Sequence, residues 1–375
     1  MRIAHVSDCY APRTGGIETQ VAALARHQAA SGEVVRVITA TPGRGSVFAG
    51  DDLVDGITVH RVAAHIPFDL PIHPRTGHEV GALLDAHAVD VVHVHAGVVS
   101  PFAWSSIRAA GKRGIPTLVT VHSVWGPLAG PGFSASDVLL GWSTWGATLS
   151  AVSQVAADRI AASVPKAGPV LVIPNGIEPA DWVVEHAAAA PDRLRVASVL
   201  RMAPRKRTLP LVRIIAAAVD QLRGTTAVTA VLVGEGPERS RAEKYARQRG
   251  LESSITFTGR LPREGILRVF ADTDLYVQPS VKESFGLAAL EARTAGLPVV
   301  ARSQTGTTEF IHDGEQGLLA ADDAEMARAI SRLGRDRALL DGIAARNRST
   351  TPDQAWPAVI DTVAAAYRRA GAAVG

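Results

Sequence analysis

Two consecutive α/β domains, each built on a doubly wound parallel sheet, are what this sequence predicts. Three observations lead there. Short β-branched, apolar runs alternate with Ala-rich helical runs along the whole chain. Those strand runs lack polar alternation, as strands covered on both faces do. The length, 375 residues, exceeds what one ordinary core holds and suits two domains.

In the first half, residues 3–6, 34–39, 89–94, 117–121 and 170–173 read as strands, with helices at 18–30 and 104–113. The second half repeats the theme, with strands at 194–200, 230–233, 255–258, 275–278 and 298–301. Helices at 208–222, 238–249, 263–271 and 286–295 separate them. The boundary is expected in the turn-forming Pro174-Asn175-Gly176-Ile177. It gives a first domain over 1–177 and a second over 178–354. The Ala-rich end, 355–375, reads as a last helix packing back on the first domain, with Trp356 and Tyr367 as anchors. A further helical stretch is read at 138–152, its leucines and tryptophans more suited to a buried role than to a membrane surface.

Composition removes several function classes. Hydrophobic residues make up 47% and charged residues 20%, the balance of a well-packed α/β protein. The net charge is only +3 and no run of Lys and Arg forms a stripe, which discounts nucleic acid as a partner. A single cysteine, Cys9, fits a reducing compartment and no intrachain disulfide. The opening Met-Arg-Ile-Ala-His-Val-Ser carries no signal-peptide core, and no stretch of about 18 apolar residues is present. A cytoplasmic protein is expected, with peripheral contact at the inner face of a membrane left open.

In doubly wound sheets ligands sit beyond the carboxyl ends of the strands. Glu283 and Glu291 lie eight positions apart in a glycine-containing loop that runs into a helix. Such a loop aims N–H groups and a positive dipole end at an anion. Carboxylates there suit hydroxyls on either side of a diphosphate, which describes a nucleotide sugar. Arg201 and Lys206 follow the strand at 194–200 and offer a guanidinium fork and a compact charge to phosphate oxygens. Arg205 and Arg207 read as solvent-facing neighbours. Gly15-Gly16 closes the first strand–helix turn, where small residues admit a phosphate or sugar, and the missing G-x-G-x-x-G argues against a conventional NAD site. Gly234-Glu235-Gly236-Pro237 ends a further strand and opens a helix, its proline suited to the first turn; Thr258-Gly259-Arg260-Leu261 ends the next, where backbone groups could read a nucleobase, and both read equally as plain turns. His122 ends the strand at 117–121, placed to meet a sugar hydroxyl or a developing charge across a cleft between the domains. His93 and His95 alternate on one strand face, but with no third ligand apparent a zinc site is rejected and no metal ligands are expected.

Taken in order, these motifs resemble glycosyltransferase family 4, retaining enzymes of the GT-B fold with two Rossmann-like domains facing across a cleft. The resemblance runs from Gly15-Gly16 through Thr120-Val121-His122, Pro174-Asn175-Gly176-Ile177, Arg201 with Lys206, and Gly234–Pro237 to the Glu283/Glu291 pair. It implies a hexosyltransferase acting without an obligatory metal or other cofactor, by front-face displacement in which the leaving phosphate helps take the acceptor proton. By the same resemblance, Glu291 binds the ribose and Glu283 the donor sugar. The backbone of Phe285, Gly286 and Leu287 holds sugar and phosphate, with Arg201 and Lys206 on the diphosphate. Arg260 and Leu261 lie near the base, Gly16 near the diphosphate or acceptor, and His122 near the transferred sugar. Family members often carry a Gly-Gly pair before the glutamate that precedes Phe310. Here the segment is Gln304-Thr305-Gly306-Thr307-Thr308-Glu309, with one glycine.

The expected partners are a nucleotide-sugar donor and a hydroxyl acceptor, whether a glycolipid, a polysaccharide end, a cyclitol or a natural product. Acceptor choice is assigned to the first-domain loops 41–80 and 124–141. Two other readings stay open: a non-catalytic nucleotide-sugar-binding protein on the same fold, and a relative condensing a sugar nucleotide with a phosphorylated cyclitol or polyol. A phosphorylase is set aside because nothing marks a pyridoxal phosphate lysine.

Overall fold

The computed structural model describes residues 1–43, 48–65, 72–97, 99–125, 129–140, 142–188 and 190–371, with backbone alone at 129, 133, 136 and 138–140. It divides into two compact units, Met1–Gly176 with Trp356–Gly375, and Ile177–Ala355.

The first unit holds β1 (Arg2–Ser7), α1 (Gly16–Ala30), β2 (Val34–Thr39), β3 (Gly50–Val54), β4 (Ile57–Arg61), α2 (Thr76–Ala86), β5 (Val91–Ala96) and α3 (Pro101–Gly111). These are followed by β6 (Thr117–Val121), α4 (Ala129–Leu140), β7 (Ala147–Ala151), α5 (Gln154–Ser163) and β8 (Leu171–Val172). The sheet order is β3-β4-β2-β1-β5-β6-β7-β8. All pairs are parallel except β3–β4. Ala4, Val6, Val92 and Val94 face one hydrophobic layer with Phe102 and Ile107 of α3. Ile3, Val91 and Leu118 face the other, against Val21 and Leu24 of α1 and against Trp356, Val359 and Tyr367.

In the second unit come β9 (Arg193–Val199), α6 (Thr208–Leu222), β10 (Ala227–Val233), α7 (Arg239–Gln248), β11 (Ile255–Gly259), α8 (Arg263–Ala271) and β12 (Leu275–Gln278). After them stand α9 (Leu287–Thr294), β13 (Val299–Arg302), β14 (Gly317–Ala320), α10 (Asp323–Arg335) and α11 (Arg337–Ser349). Their order, β11-β10-β9-β12-β13-β14, is parallel throughout. Numbered within the unit, this is 3-2-1-4-5-6, the dinucleotide-fold order, whose direction of winding reverses between β9 and β12. The carboxyl ends of those two strands therefore frame the place where a ligand is expected. The last helix, α12 (Trp356–Arg369), belongs to the first unit, with Trp356 and Tyr367 in its core.

Two expectations change. Within 41–80, assigned to acceptor-selecting loops, the structure has the β3–β4 hairpin and the start of α2. Asp55 and Gly56 both take positive φ, 51° and 79°, the type I′ turn that an Asp-Gly pair favours between strands. The helical stretch read at 138–152 is instead the end of α4, a 3₁₀ turn at Trp142–Thr144 and strand β7. Gly146, at φ 79°, ends the helical run, and Leu149 and Ala151 are buried in the sheet core. Trp142 is 6% exposed and packs against Trp104, ring centroids 4.9 Å apart and tilted by 58°, which removes it as a membrane contact. Of the proposed acceptor loops, residues 44–47, 66–71, 126–128 and 141 lie outside the described residues, as do 372–375 of the helix expected over 355–375. Among the described residues no helix is long and apolar enough to cross a membrane.

Candidate active site

β9 delivers Arg201 and Lys206. The chain leaves the strand into a short 3₁₀ turn, Pro204–Lys206, which carries Lys206 back toward the exit of β12. Lys206 Nζ meets Glu283 Oε2 at 2.6 Å, and Gln278 Nε2 donates to the same oxygen at 3.1 Å. Glu283 is 7% exposed, so the ammonium and the amide compensate a carboxylate that water barely reaches. Gln278, the last residue of β12, went unnoticed in the sequence; a polar side chain at the end of a buried strand is the signal. Arg201 stands exposed on the same loop, and Arg205 is exposed too. Arg207 is not the solvent-facing neighbour expected. It pairs with Asp323 at 2.6 Å, beside Arg302 on the same carboxylate.

The glycines of neighbouring loops are there for close approach. A Cβ on Gly234 would collide with the Leu200 carbonyl oxygen, and one on Gly236 with that of Met202. The Gly234–Pro237 turn thus lies flat against the Arg201 loop, tied by Met202 N–Glu235 O (2.8 Å) and Glu238 N–Met202 O (2.9 Å). Gly286, at φ 97°, ends the Glu283 loop and caps α9. Phe285 is buried against Phe310, ring centroids 5.3 Å apart. This anchoring leaves the amides of the Phe285-Gly286-Leu287 segment at the first turn of α9, where the helix dipole favours an anion. The single glycine of the following loop, Gly306, donates its N–H to Glu283 O at 2.9 Å. Thr307 is buried, and its methyl carbon would lie 2.6 Å from a Cβ on Gly286. Arg260 and Leu261 follow β11, two strands from β9, with Arg260 exposed and Leu261 half-buried.

Glu291 is half-buried on α9. Burial pushes its carboxyl up to about 7, with Arg263 acting the other way. Between 4.5 and about 7 the folded chain keeps a proton that the unfolded chain has released, so stability falls as pH rises through that window. Glu291→Gln should abolish this loss. Thermal melts should then show the variant more stable than wild type by ~1–3 kcal/mol at pH 8, with little difference at pH 5; an equal difference at both pH values would refute the assignment.

Gly16 and His122 belong to the first unit, at the carboxyl ends of β1 and β6. Gly16 opens α1 and is exposed. The His122 amide donates to Ala96 O at 2.9 Å, and its ring hydrogen-bonds Asn175 and His95. The third imidazole not apparent in the sequence is His5. It lies in register with His93 on the neighbouring strand, and His5, His93 and His95 have nitrogens within 4.8 Å of one another. Burial holds His5 and His122 at about 4 and His93 and His95 well below the ordinary histidine value, so all four rings are neutral at pH 7.

A parallel two-unit architecture, with an acid–lysine pair at the switch point of the second sheet, is that of a GT-B glycosyltransferase. The comparisons with known proteins agree. Residues 14–181 match the family model described as Glycosyltransferase Family 4, and residues 193–336 match Glycosyl transferases group 1. The chain is 30% identical to a D-inositol 3-phosphate glycosyltransferase of Acidothermus cellulolyticus, over 85% of this chain and 78% of that one. It is 28% identical to a GDP-mannose-dependent alpha-mannosyltransferase of Mycolicibacterium smegmatis, over 98% and 97%. The crystal structure of Anabaena HepE in complex with UDP superposes with a TM-score of 0.75 at 20% identity, covering 98% of this chain and 100% of that one. The chain belongs to glycosyltransferase family 4 and is a sugar-transferring enzyme.

Proposed function

We propose that this enzyme transfers a hexosyl group from a nucleotide-diphosphate sugar to a hydroxyl acceptor with retention of anomeric configuration. What carries the proposal is the Lys206–Glu283 pair at the β9/β12 switch point, with Glu291 one helix stretch beyond. A nucleotide donor is supported by the UDP held in the Anabaena structure and by the GDP-mannose dependence named for the mycobacterial relative.

In this mechanism the bond between the anomeric carbon and the leaving phosphate oxygen breaks. The acceptor oxygen bonds to the same face of that carbon, and its proton passes to the departing phosphate. Lys206 and Arg201 neutralise the charge that develops there, so no divalent cation is needed. Glu283 accepts from donor-sugar hydroxyls while Lys206 and Gln278 fix its orientation. Glu291 accepts from the ribose, and the amides at the start of α9 hold sugar and phosphate. His122 receives a hydroxyl of the transferred sugar. The name of the Acidothermus relative favours one acceptor class, a phosphorylated cyclitol, which ranks first for trial.

Transfer from UDP-, GDP- and ADP-sugars to D-inositol 3-phosphate and to simpler polyols should be assayed with and without EDTA, and the product's anomeric proton coupling read by NMR. Retention, with activity undiminished by the chelator, is expected. Inversion, or a loss restored by Mg²⁺ or Mn²⁺, would contradict the mechanism.

A further inference from the structure

The four neutral histidines of the first unit belong to one chain of hydrogen bonds whose direction can be worked out. Start at its main-chain end. Ser150 Oγ donates to the Val119 carbonyl at 3.1 Å, which uses the only proton of that hydroxyl. Thr120 Oγ1, 2.8 Å from Ser150 Oγ, must then be the donor between them. With its own proton committed, Thr120 must accept from His93 Nε2 at 2.7 Å. His93 is neutral, so its Nδ1 carries no proton and accepts from Tyr367 O–H at 2.9 Å. Tyr367 in turn accepts from Gln28 Nε2 at 3.1 Å. That places the Gln28 carbonyl oxygen toward His5, whose Nε2 donates to it at 2.7 Å. His5 Nδ1 accepts from His95 Nε2 at 2.9 Å, and His95 Nδ1 accepts from His122 Nε2 at 3.1 Å.

Every donor and acceptor along this path is satisfied in one direction only. Reversing it would leave Ser150 without a proton for Val119 and would require the Gln28 amide to be turned end for end, its carbonyl then accepting from Tyr367. Buried groups in a low-dielectric layer strongly resist such a mismatch. From this we infer that Thr120, Tyr367 and Gln28 are positioning residues that fix the tautomer of His122. The ring carries its proton on Nε2 and leaves Nδ1 unprotonated, a hydrogen-bond acceptor for the Asn175 amide or, in its place, for a sugar hydroxyl. The chain also accounts for the close histidines without a metal. The unprotonated nitrogens of His5, His93 and His95 each already receive an N–H or O–H, so they do not converge on one point.

The consequence for catalysis rests on the proposed placing of His122 beside the transferred sugar; the tautomers do not. Long-range ¹H–¹⁵N spectra of the histidine-labelled full chain near pH 7.5 read the tautomers directly, the His122 ring being assigned by loss of one spin system in His122→Asn. All four rings, His5, His93, His95 and His122, are expected as the Nε2–H form. A proton on Nδ1 of any of them, or zinc retained by the purified protein on these rings, would overturn the inference.

Thr120→Val keeps the shape and removes the anchor. It should give His122 a second set of ring shifts and lower kcat by about tenfold, and Thr120→Ser should restore both. A single Nε2–H form of His122 with wild-type kcat in Thr120→Val would overturn the positioning role. Should Thr120→Val fail to fold, the wild-type spectrum still decides the tautomers. Should the protein transfer no sugar, the spectra still read, so the two failures are separable.

Discussion

Replacing Lys206 by alanine is expected to lower turnover by about 10²–10³-fold, the cost of removing one preorganised charge from a departing anion. It should also leave Glu283 with a single neutral donor. That carboxylate is 7% exposed, and an unpaired buried charge costs up to ~3–5 kcal/mol. Lys206 itself keeps 25% of its side-chain exposure, so water screens part of this and a loss of ~1–3 kcal/mol is expected. The two effects separate in the double variant with Glu283→Gln, in which no charge remains to be orphaned. Thermal melts should recover there, while kcat should not. Wild-type kcat in Lys206→Ala would show that the ammonium does nothing for the leaving group.

Gly306→Ala should be nearly as damaging although it adds one methyl group. That methyl would collide with the Ser284 carbonyl oxygen and lie 2.8 Å from Phe285 Cα. Both are backbone, which cannot swing aside, and the Gly306 N–H would be pushed off Glu283 O. Overpacking of this kind costs about 1–3 kcal/mol. Because it displaces the loop holding Glu283 and the first amides of α9, a loss of about 10²-fold in kcat/KM is expected as well. Gly342→Ala in α11 is the control, since nothing lies within 4 Å of the added carbon. If Gly306→Ala melts and turns over like Gly342→Ala, the packing of the two loops does not govern the site.

The strands of both sheets were largely legible because buried parallel strands write apolar runs that no helix period interrupts. Less legible were elements whose pattern mixes with a loop's. The β3–β4 hairpin carries exposed Asp51 and Leu53 on an edge strand, and its Asp-Gly turn is its one local signal. Strand β7 reads as helix because the leucines and tryptophans of 138–145 run into it without a strong breaker. Within the site, the residue types at 201, 206, 283 and 291 spoke for phosphate and hydroxyl chemistry. Their contacts did not, because β9 and β12 are sheet neighbours separated in sequence by two whole strand–helix units. The same holds for His5, which meets His95 across 90 positions. Parallel register places it there, and nothing local to either residue encodes that register. The single-glycine loop shows a third limit. The pattern does not tell which of its positions must be glycine, and it is Gly306 that sits where a Cβ would strike Ser284 and Phe285.

Calorimetric titration of UDP, GDP and ADP into the wild type and Glu291→Ala tests the central claim most directly. One nucleotide should bind the wild type clearly better than the other two, and Glu291→Ala should weaken it by about 10-fold or more, the loss of a hydrogen-bond acceptor for the ribose. Equal affinity in wild type and variant, or no binding of any of the three, would contradict the placing of a nucleotide-sugar donor at the β9/β12 switch point.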